Sequence, residues 1–580
     1  MYVSLYNGSG TLLFTYPNYS GSGVKQNLLT ESQRKELLSR LKGDEDNEVG
    51  EIAANAENEE DTFVTYGAVF DFDGAEYMLY AQASLGSINA TTVILASQLL
   101  LTTIIALALA FVLSAFLSRQ LSKPIVLMSQ SAQHLASGEY TVRLRAKNAL
   151  GEYERDLRIV AGDKIALTPP MGWNSWNCWA RDVTREQVLA SARAMVEKGL
   201  VNHGWTYINI DDGWQGQRGG KYNAIQPNTK FPDMKGLADE IHGMGLKIGI
   251  YSTPWIGTYA AHIGSYSDNP DGVNEWIKKG WCNEHYRYQK PGGDYWKDRM
   301  EMYIHGRYSF VDADVKQWVD WGIDYLKYDW SPNDLHYTQE MHDALRKCGR
   351  DIVYSISNNA PYADAPLWME LCHCWRTTGD IRDTWKSMSA IGFAHDRWMP
   401  FTGPGHWADP DMLVVGMVGW GQKLHYTKLT ADEQYTHISL WALLSAPLLI
   451  GCDLAQLDDF TISLLTNDEV IDINQDPLGY QAAPLWRDGN RQVIYMKPLE
   501  DGSVAVGLFN RDEKPAEMKF TMRQLGMRDK KIVRDVWRQQ DIATLDTGES
   551  YTTQVAPHGV VLLKVYPGNP TDRCIGKVER

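Results

Sequence analysis

Lys327 and Asp329 stand two residues apart at the end of an apolar run, in Tyr-Leu-Lys-Tyr-Asp-Trp. Burying either charge is costly unless it is paired or used. In an extended strand residues two apart share a face, so the ammonium would keep the carboxyl ionised. A second carboxylate, Asp380, follows Cys-Trp-Arg-Thr-Thr-Gly, with Arg376 four residues before it and placed to contact a substrate or the nucleophile. Two carboxylates on one rim can hydrolyse a glycosidic bond. One attacks the anomeric carbon or activates water, and the other protonates the leaving oxygen. By spacing alone, capping a helix is the commoner fate of an aspartate after a strand, so the neighbours decide.

Those neighbours favour a sugar. Asp211 and Asp212, adjacent after Tyr-Ile-Asn-Ile, suit the clamping of vicinal hydroxyls, with metal ligation as the competing use. Trp173, Trp176, Tyr207, Trp214, Tyr251, Trp330 and Trp375 offer rings for the C–H face of a sugar, although most of the 21 tryptophans must be core.

The elements that would position these groups are legible as a pattern. The stretches WTYINIDDGW, GLKIGIYSTPW, IDYLKYDW, DIVYSISNN and CWRTTGD read as strands, with helical stretches such as TREQVLASARAMVEKGL and GLADEIHGMG between them. Strand and helix alternating from about residue 162 to 480 predict parallel βα units, and eight of them close a (β/α)8 barrel with its chemistry at the strands' C-terminal ends. From 481 to 567 the pattern becomes alternating strands with Asp-Gly turns, an antiparallel β domain, followed by a tail over 568–580.

Composition narrows the class. The chain has 580 residues, 44% hydrophobic and 22% charged, which is globular, and its formal charge of −16 argues against a nucleic-acid footprint. Seven scattered cysteines without a CxxC pair indicate neither a disulfide framework nor a metal site, and no cofactor is implied.

The N-terminal quarter reads as another protein. Residues 92–117 carry no charge, enough to cross about 30 Å of hydrocarbon, and lie too far from Met1 for a signal peptide. Arg119 and Lys123 after the span predict a single-pass membrane protein whose C-terminal side, with the barrel, is cytoplasmic. Residues 1–91 would face outward as an α/β segment similar to the extracytoplasmic sensing region of bacterial sensor kinases. The segment SRQLSKPIVLMSQSAQHLASGEYTVRL resembles the first half of the HAMP linker of bacterial sensor kinases, giving a partial linker over 118–161. No kinase half follows. If this N-terminal segment is foreign to the enzyme, the hydrolase would instead be periplasmic or secreted.

Seven stretches in order, TPPMGWNSW, YINIDDGW, KIGIYSTPW, WGIDYLKYDW, CWRTTGDIRDTW, GPGHWADPDML and SAPLLIGCDL, resemble glycoside hydrolase family 27 over residues 163–566. That family comprises α-galactosidases and α-N-acetylgalactosaminidases. The resemblance implies a barrel followed by an antiparallel β-sandwich and a retaining double displacement. It places Asp329 as nucleophile, Asp380 as acid/base, and Asp211 and Asp212 on the galactose 4- and 6-hydroxyls. Trp176, Tyr251, Lys327, Arg376 and Asp411 would line the pocket. Eukaryotic members have cysteines where this chain has Gly213 and Ser331, so the corresponding disulfides are not expected.

Ser357 and Ala360 fall where a glutamate and a bulky residue crowd the sugar 2-position in α-galactosidases; small residues there resemble the N-acetylgalactosaminidase pattern. A long insertion, 256–310, is expected to cover the site. The expected activity is that of an exo-acting α-galactosidase on oligo- or polysaccharides, with α-N-acetylgalactosaminidase and β-L-arabinopyranosidase as alternatives. The rival from another class is a membrane-anchored sugar receptor. Against it stand both aspartates, with the lysine and arginine beside them intact.

Overall fold

The computed structural model describes residues 164–567 except 284 and 285, and before them chiefly 2–7, 11–16, 48–54, 62–72, 74–85, 138–148 and 151–162. The chain divides into two compact units, 1–136 and 137–580.

In the first unit five strands form an antiparallel sheet in the order Leu12–Tyr16, Tyr2–Asn7, Ala75–Leu85, Thr62–Phe72, Glu48–Ala54. The expected membrane span, 92–117, lies outside the described residues, among which no helix is long and apolar enough to cross a membrane. The linker expectation is corrected over 138–161, where Gly138–Asn148 and Gly151–Ala161 pair as an antiparallel hairpin. The reason is local. Thr-Val-Arg-Leu-Arg alternates apolar and polar with period two, the strand period and not the helical one.

In the second unit eight parallel strands make one curled sheet: β1 Met171–Asn174, β2 Tyr207–Asn209, β3 Lys247–Ser252, β4 Tyr325–Asp329, β5 Val353–Ser357, β6 Cys374–Arg376, β7 Trp407–Asp409 and β8 Leu448–Ile450. Neighbours follow chain order, and β8 pairs β1. The remaining gap is closed by Leu413, whose amide donates to Leu449 O at 2.8 Å and whose carbonyl accepts from Gly451 N at 3.0 Å. Register places Tyr251 beside Lys327, Asp329 beside Ser357, and Arg376 beside Asp409, so the chemistry-bearing residues share one end. Gly249 permits the tight wall, since a Cβ there would meet Asn209 Oδ1 at 2.0 Å.

The outer helices start where the sequence can satisfy their free amides. α1, Arg185–Glu197, opens with a Thr184–Gln187 capping box and buries Val188, Leu189, Ala192 and Met195 at helical spacing. α2, Met234–Gly243, is capped by Asp233 onto Gly236 N. α3, Ala431–Leu443, carries a Thr430–Glu433 capping box.

Residues 483–567 form the expected antiparallel domain, a six-stranded sheet facing a two-stranded one, with its own core of Val506, Leu508, Met518, Phe520, Val533 and Leu563. It docks closely on α3: a Cβ on Gly507 would lie 2.5 Å from Leu443 Cδ1.

Candidate active site

Each acidic candidate sits at the C-terminal end of a barrel strand or in the loop just beyond. Asp329 ends β4, and its side chain is 7% exposed. Lys327, two residues earlier, puts Nζ 2.9 Å from Asp211 Oδ2 and 3.7 Å from Asp329 Oδ2, beneath the Tyr251 ring at 5.4 Å. The expected pairing is present, but its consequence differs from the expectation. Burial outweighs Lys327 and pushes Asp329 up to about 6, with the negative charge of Asp380 adding to the rise. It is ionised at neutral pH by a margin of only about one unit.

Asp380, in the loop after β6, is 39% exposed and receives Arg376 Nη2 at 3.1 Å. Burial raises its pKa, but Arg376 and Lys327 together outweigh this and hold the carboxyl below the ordinary range. Arg376 thus turns to Asp380 and Asp411, whose Oδ1 lies 3.0 Å from Nη1, and forms no ion pair with Asp329.

The aspartate pair is held from four sides. Asn174 Nδ2 and Lys327 Nζ both donate to Asp211 Oδ2 at 2.9 Å, while the Asp212 amide donates to Oδ1 at 2.8 Å and Ser175 Oγ receives the Asp211 amide at 3.0 Å. Asp212 Oδ2 accepts the Ala260 amide at 2.7 Å, and burial pushes Asp212 up to about 7. Ala260 belongs to the insertion, which is therefore built into the pocket wall: Ile256, Ala261, Ile263 and Trp276 are in the main core. His262 Nδ1 lies 4.0 Å from Asp212 Oδ1, but no group of three or more such side chains able to hold a metal occurs among the described residues.

Several buried polar atoms here have no hydrogen-bond partner: Tyr251 Oη, Asp329 Oδ1, Ser357 Oγ and Asn358 Oδ1. Buried polar atoms are normally paired, so a group of orphans around one carboxylate is ready for a polyhydroxylated ligand. Ser357 ends β5, and Ala360 follows, buried, with its amide on Arg376 O at 2.8 Å. Trp176 is half-buried at the start of a short helix, its amide on Asn174 Oδ1 at 2.9 Å. A small pocket is lined by Lys327, Ser355, Ser357, Arg376, Asp409 and Asp411, among others.

Not every predicted ring belongs to the site. Trp173, Trp214, Trp330 and Trp375 are fully buried core residues; Trp173 and Trp214 donate Nε1 to Cys452 O and Tyr251 O at 2.8 and 2.9 Å. Tyr207 lies at the start of β2, the opposite end of the strand, edge-on to Tyr325 at 5.5 Å. Composition cannot separate a sugar platform from a core ring, because both need the same flat apolar surface. Conversely, Asn174, Ser175 and Ala260 carried no recognised role in the sequence. Asn174 and Ser175 do stand in the MGWNSW stretch, whereas nothing local marks Ala260.

Residues 168–287 and 292–476 match the family model for alpha galactosidase A, and 489–565 match that for the alpha galactosidase C-terminal beta sandwich domain. The alpha-galactosidase of Cyamopsis tetragonoloba is 35% identical over 411 residues, covering 69% of this chain and 87% of the relative. The alpha-N-acetylgalactosaminidase of Gallus gallus is 30% identical, over 70% and 94%. Among solved structures, the family 27 β-L-arabinopyranosidase of Geobacillus stearothermophilus superposes with a TM-score of 0.58 at 28% identity, covering 70% of this chain and 98% of the other.

Proposed function

The chain belongs to glycoside hydrolase family 27, the alpha-galactosidase family, and from that premise we propose that it is a retaining exo-α-galactosidase. The observation that carries the assignment of roles is the unequal exposure of the two carboxyls. The buried carboxyl, Asp329, 7% exposed beside Lys327, suits a nucleophile, and the more open one, Asp380, 39% exposed, suits a group that must reach a leaving oxygen. In the first step an Asp329 oxygen bonds to the anomeric carbon while Asp380 gives its proton to the departing glycosidic oxygen. In the second, Asp380 takes a proton from water, whose oxygen displaces Asp329 and releases the sugar.

This order requires Asp380 to be protonated in the complex, although Arg376 holds it low in the open site. A bound sugar covers it, and burial is already the largest influence on that carboxyl and acts upward. Asp211 and Asp212 then take the 4- and 6-hydroxyls. An arabinopyranose shares the configuration this pair would read and lacks only the 6-hydroxymethyl group, so it stays an alternative substrate. The small side chains of Ser357 and Ala360 favour a second reading, α-N-acetylgalactosaminidase, because they leave room for a 2-acetamido group.

Aryl α-galactoside, α-N-acetylgalactosaminide and β-L-arabinopyranoside compared side by side test the reading. A lead by the first, abolished in D329A, is expected; a lead by the second transfers specificity to Ser357 and Ala360. No turnover of any of the three by folded protein removes the proposal. Attachment to a lipid bilayer through 92–117, with the barrel cytoplasmic, is proposed on sequence alone. It fails if the full chain stays in the supernatant when membranes are pelleted.

A further inference from the structure

The turn after β7 closes the barrel, and it carries an aspartate in an unusual conformation. Asp411 has φ 85°, the left-handed region that residues other than glycine seldom occupy unless the surroundings hold them there. Asp409 is one such hold: its Oδ1 accepts the Asp411 amide at 2.7 Å. The Asp409 carbonyl meanwhile accepts the Thr377 amide and hydroxyl at 2.9 and 3.1 Å, tying the turn to the residue after Arg376. Trp441 Nε1 adds a bond to Asp411 O at 2.7 Å.

From this pose both oxygens of the Asp411 carboxylate are engaged by protein. Oδ1 takes Arg376 Nη1 at 3.0 Å and the Met412 amide at 2.8 Å; Oδ2 takes the Ile381 amide at 2.7 Å. Both Arg376 and Ile381 bear on Asp380, the first as its ion-pair partner at 3.1 Å, the second as its chain neighbour. One carboxylate therefore fixes the loop that carries Asp380 and the cation that faces it. We infer that Asp409 is a positioning residue for Asp380, acting through the Asp411 turn, and that Asp411 orients the acid/base instead of contacting the sugar. The inference rests on the reading of Asp380 as acid/base given above.

The test uses two substrates: 4-nitrophenyl α-galactoside, whose leaving group needs little help from a proton, and an unactivated galactosyl disaccharide, whose leaving group needs it. D409A is expected to lose kcat/KM on the disaccharide by about 10- to 100-fold more than on the aryl substrate, a fraction of what general acid catalysis supplies. D409N, which keeps an oxygen for the Asp411 amide, should recover most of that loss, and D380N should show the same bias more strongly. Equal losses on both substrates by folded D409A overturn the inference, since a merely structural role moves both alike. Should D409A fail to fold, D411N decides: it keeps the tether to Asp409 but removes the charge facing Arg376. The same leaving-group bias supports the inference, whereas a KM rise shared by both substrates makes Asp411 a sugar ligand and overturns it. Absence of bias in D380N itself sinks the acid/base reading and the inference with it.

Discussion

The barrel and the sandwich each bury a lysine, and the two amines move in opposite directions. At Lys327 burial lowers the pKa, but Asp211 and Asp329 outweigh it and raise the amine above its ordinary value. At Lys497, wholly buried where the sandwich meets α3, the partners are Ala442 O at 3.5 Å, Ser445 Oγ at 2.7 Å and Ile473 O. All are neutral. Burial prevails over the distant Asp476 and pushes the amine down to about 7. The same residue type thus serves as a charge that organises carboxylates in one region and as a hydrogen-bonding plug in the other. The nearest countercharge makes the difference.

Substitutions can break that comparison. The largest effect is expected for D329A, which should lower kcat by about 10⁴-fold or more, the usual scale for a lost nucleophile, with Tm little changed. K327M strands Asp211 and Asp329 without their cation and should cost about 10²- to 10³-fold in kcat/KM, the scale of a lost electrostatic contact in a preorganised site. K497M should do the reverse: activity at 25 °C stays near wild type, while three acceptors lose their donor. Chemical denaturation should then show a loss of about 1–3 kcal/mol. Equal catalytic damage from both lysine substitutions would erase the distinction drawn between them.

Proton linkage sharpens it further. Turnover needs one proton on the carboxyl pair, carried by Asp380, and with Asp329 at about 6 and Asp380 held low the free enzyme keeps that proton only below about 6, so kcat/KM should fall tenfold per unit as pH rises above that value. K327M removes a lowering influence and should shift this limb to higher pH. Lys497 has a folded pKa of about 7 against an ordinary 10.5, so between those values the unfolded chain binds more protons. Its contribution therefore makes stability rise with pH across that window, by at most about 1.4 kcal/mol per unit. Unfolding free energies of wild type and K497M, compared from pH 7 to 10, should differ in slope in that sense.

Much of this was legible before any coordinates. Apolar runs ending in acidic residues gave the ends of β2 and β4, and period-two alternation with Asp-Gly turns gave the sandwich. The site was less legible wherever a contact joins distant segments. Ala260 reaches Asp212 across 48 residues and Asn174 reaches Asp211 across 37, separations at which spacing rules say nothing. The hairpin over 138–161 was not legible from the linker resemblance, whose own last residues, Gly138 to Leu144, already alternate with the period of a strand.

The sequence by itself determined the inventory: two candidate catalytic carboxylates, an aspartate pair, a lysine in phase with one of them, and the order of strands that brings them to one rim. Those follow from local periodicity and residue chemistry, which are written along the chain. Only the tertiary structure decided that Arg376 pairs with Asp380 and Asp411, that four candidate tryptophans are core, and that one buried lysine is held charged while the other is pushed toward neutrality. Coulombic attraction depends on distance through space, and desolvation on what covers a group. Neither quantity exists until the chain has folded.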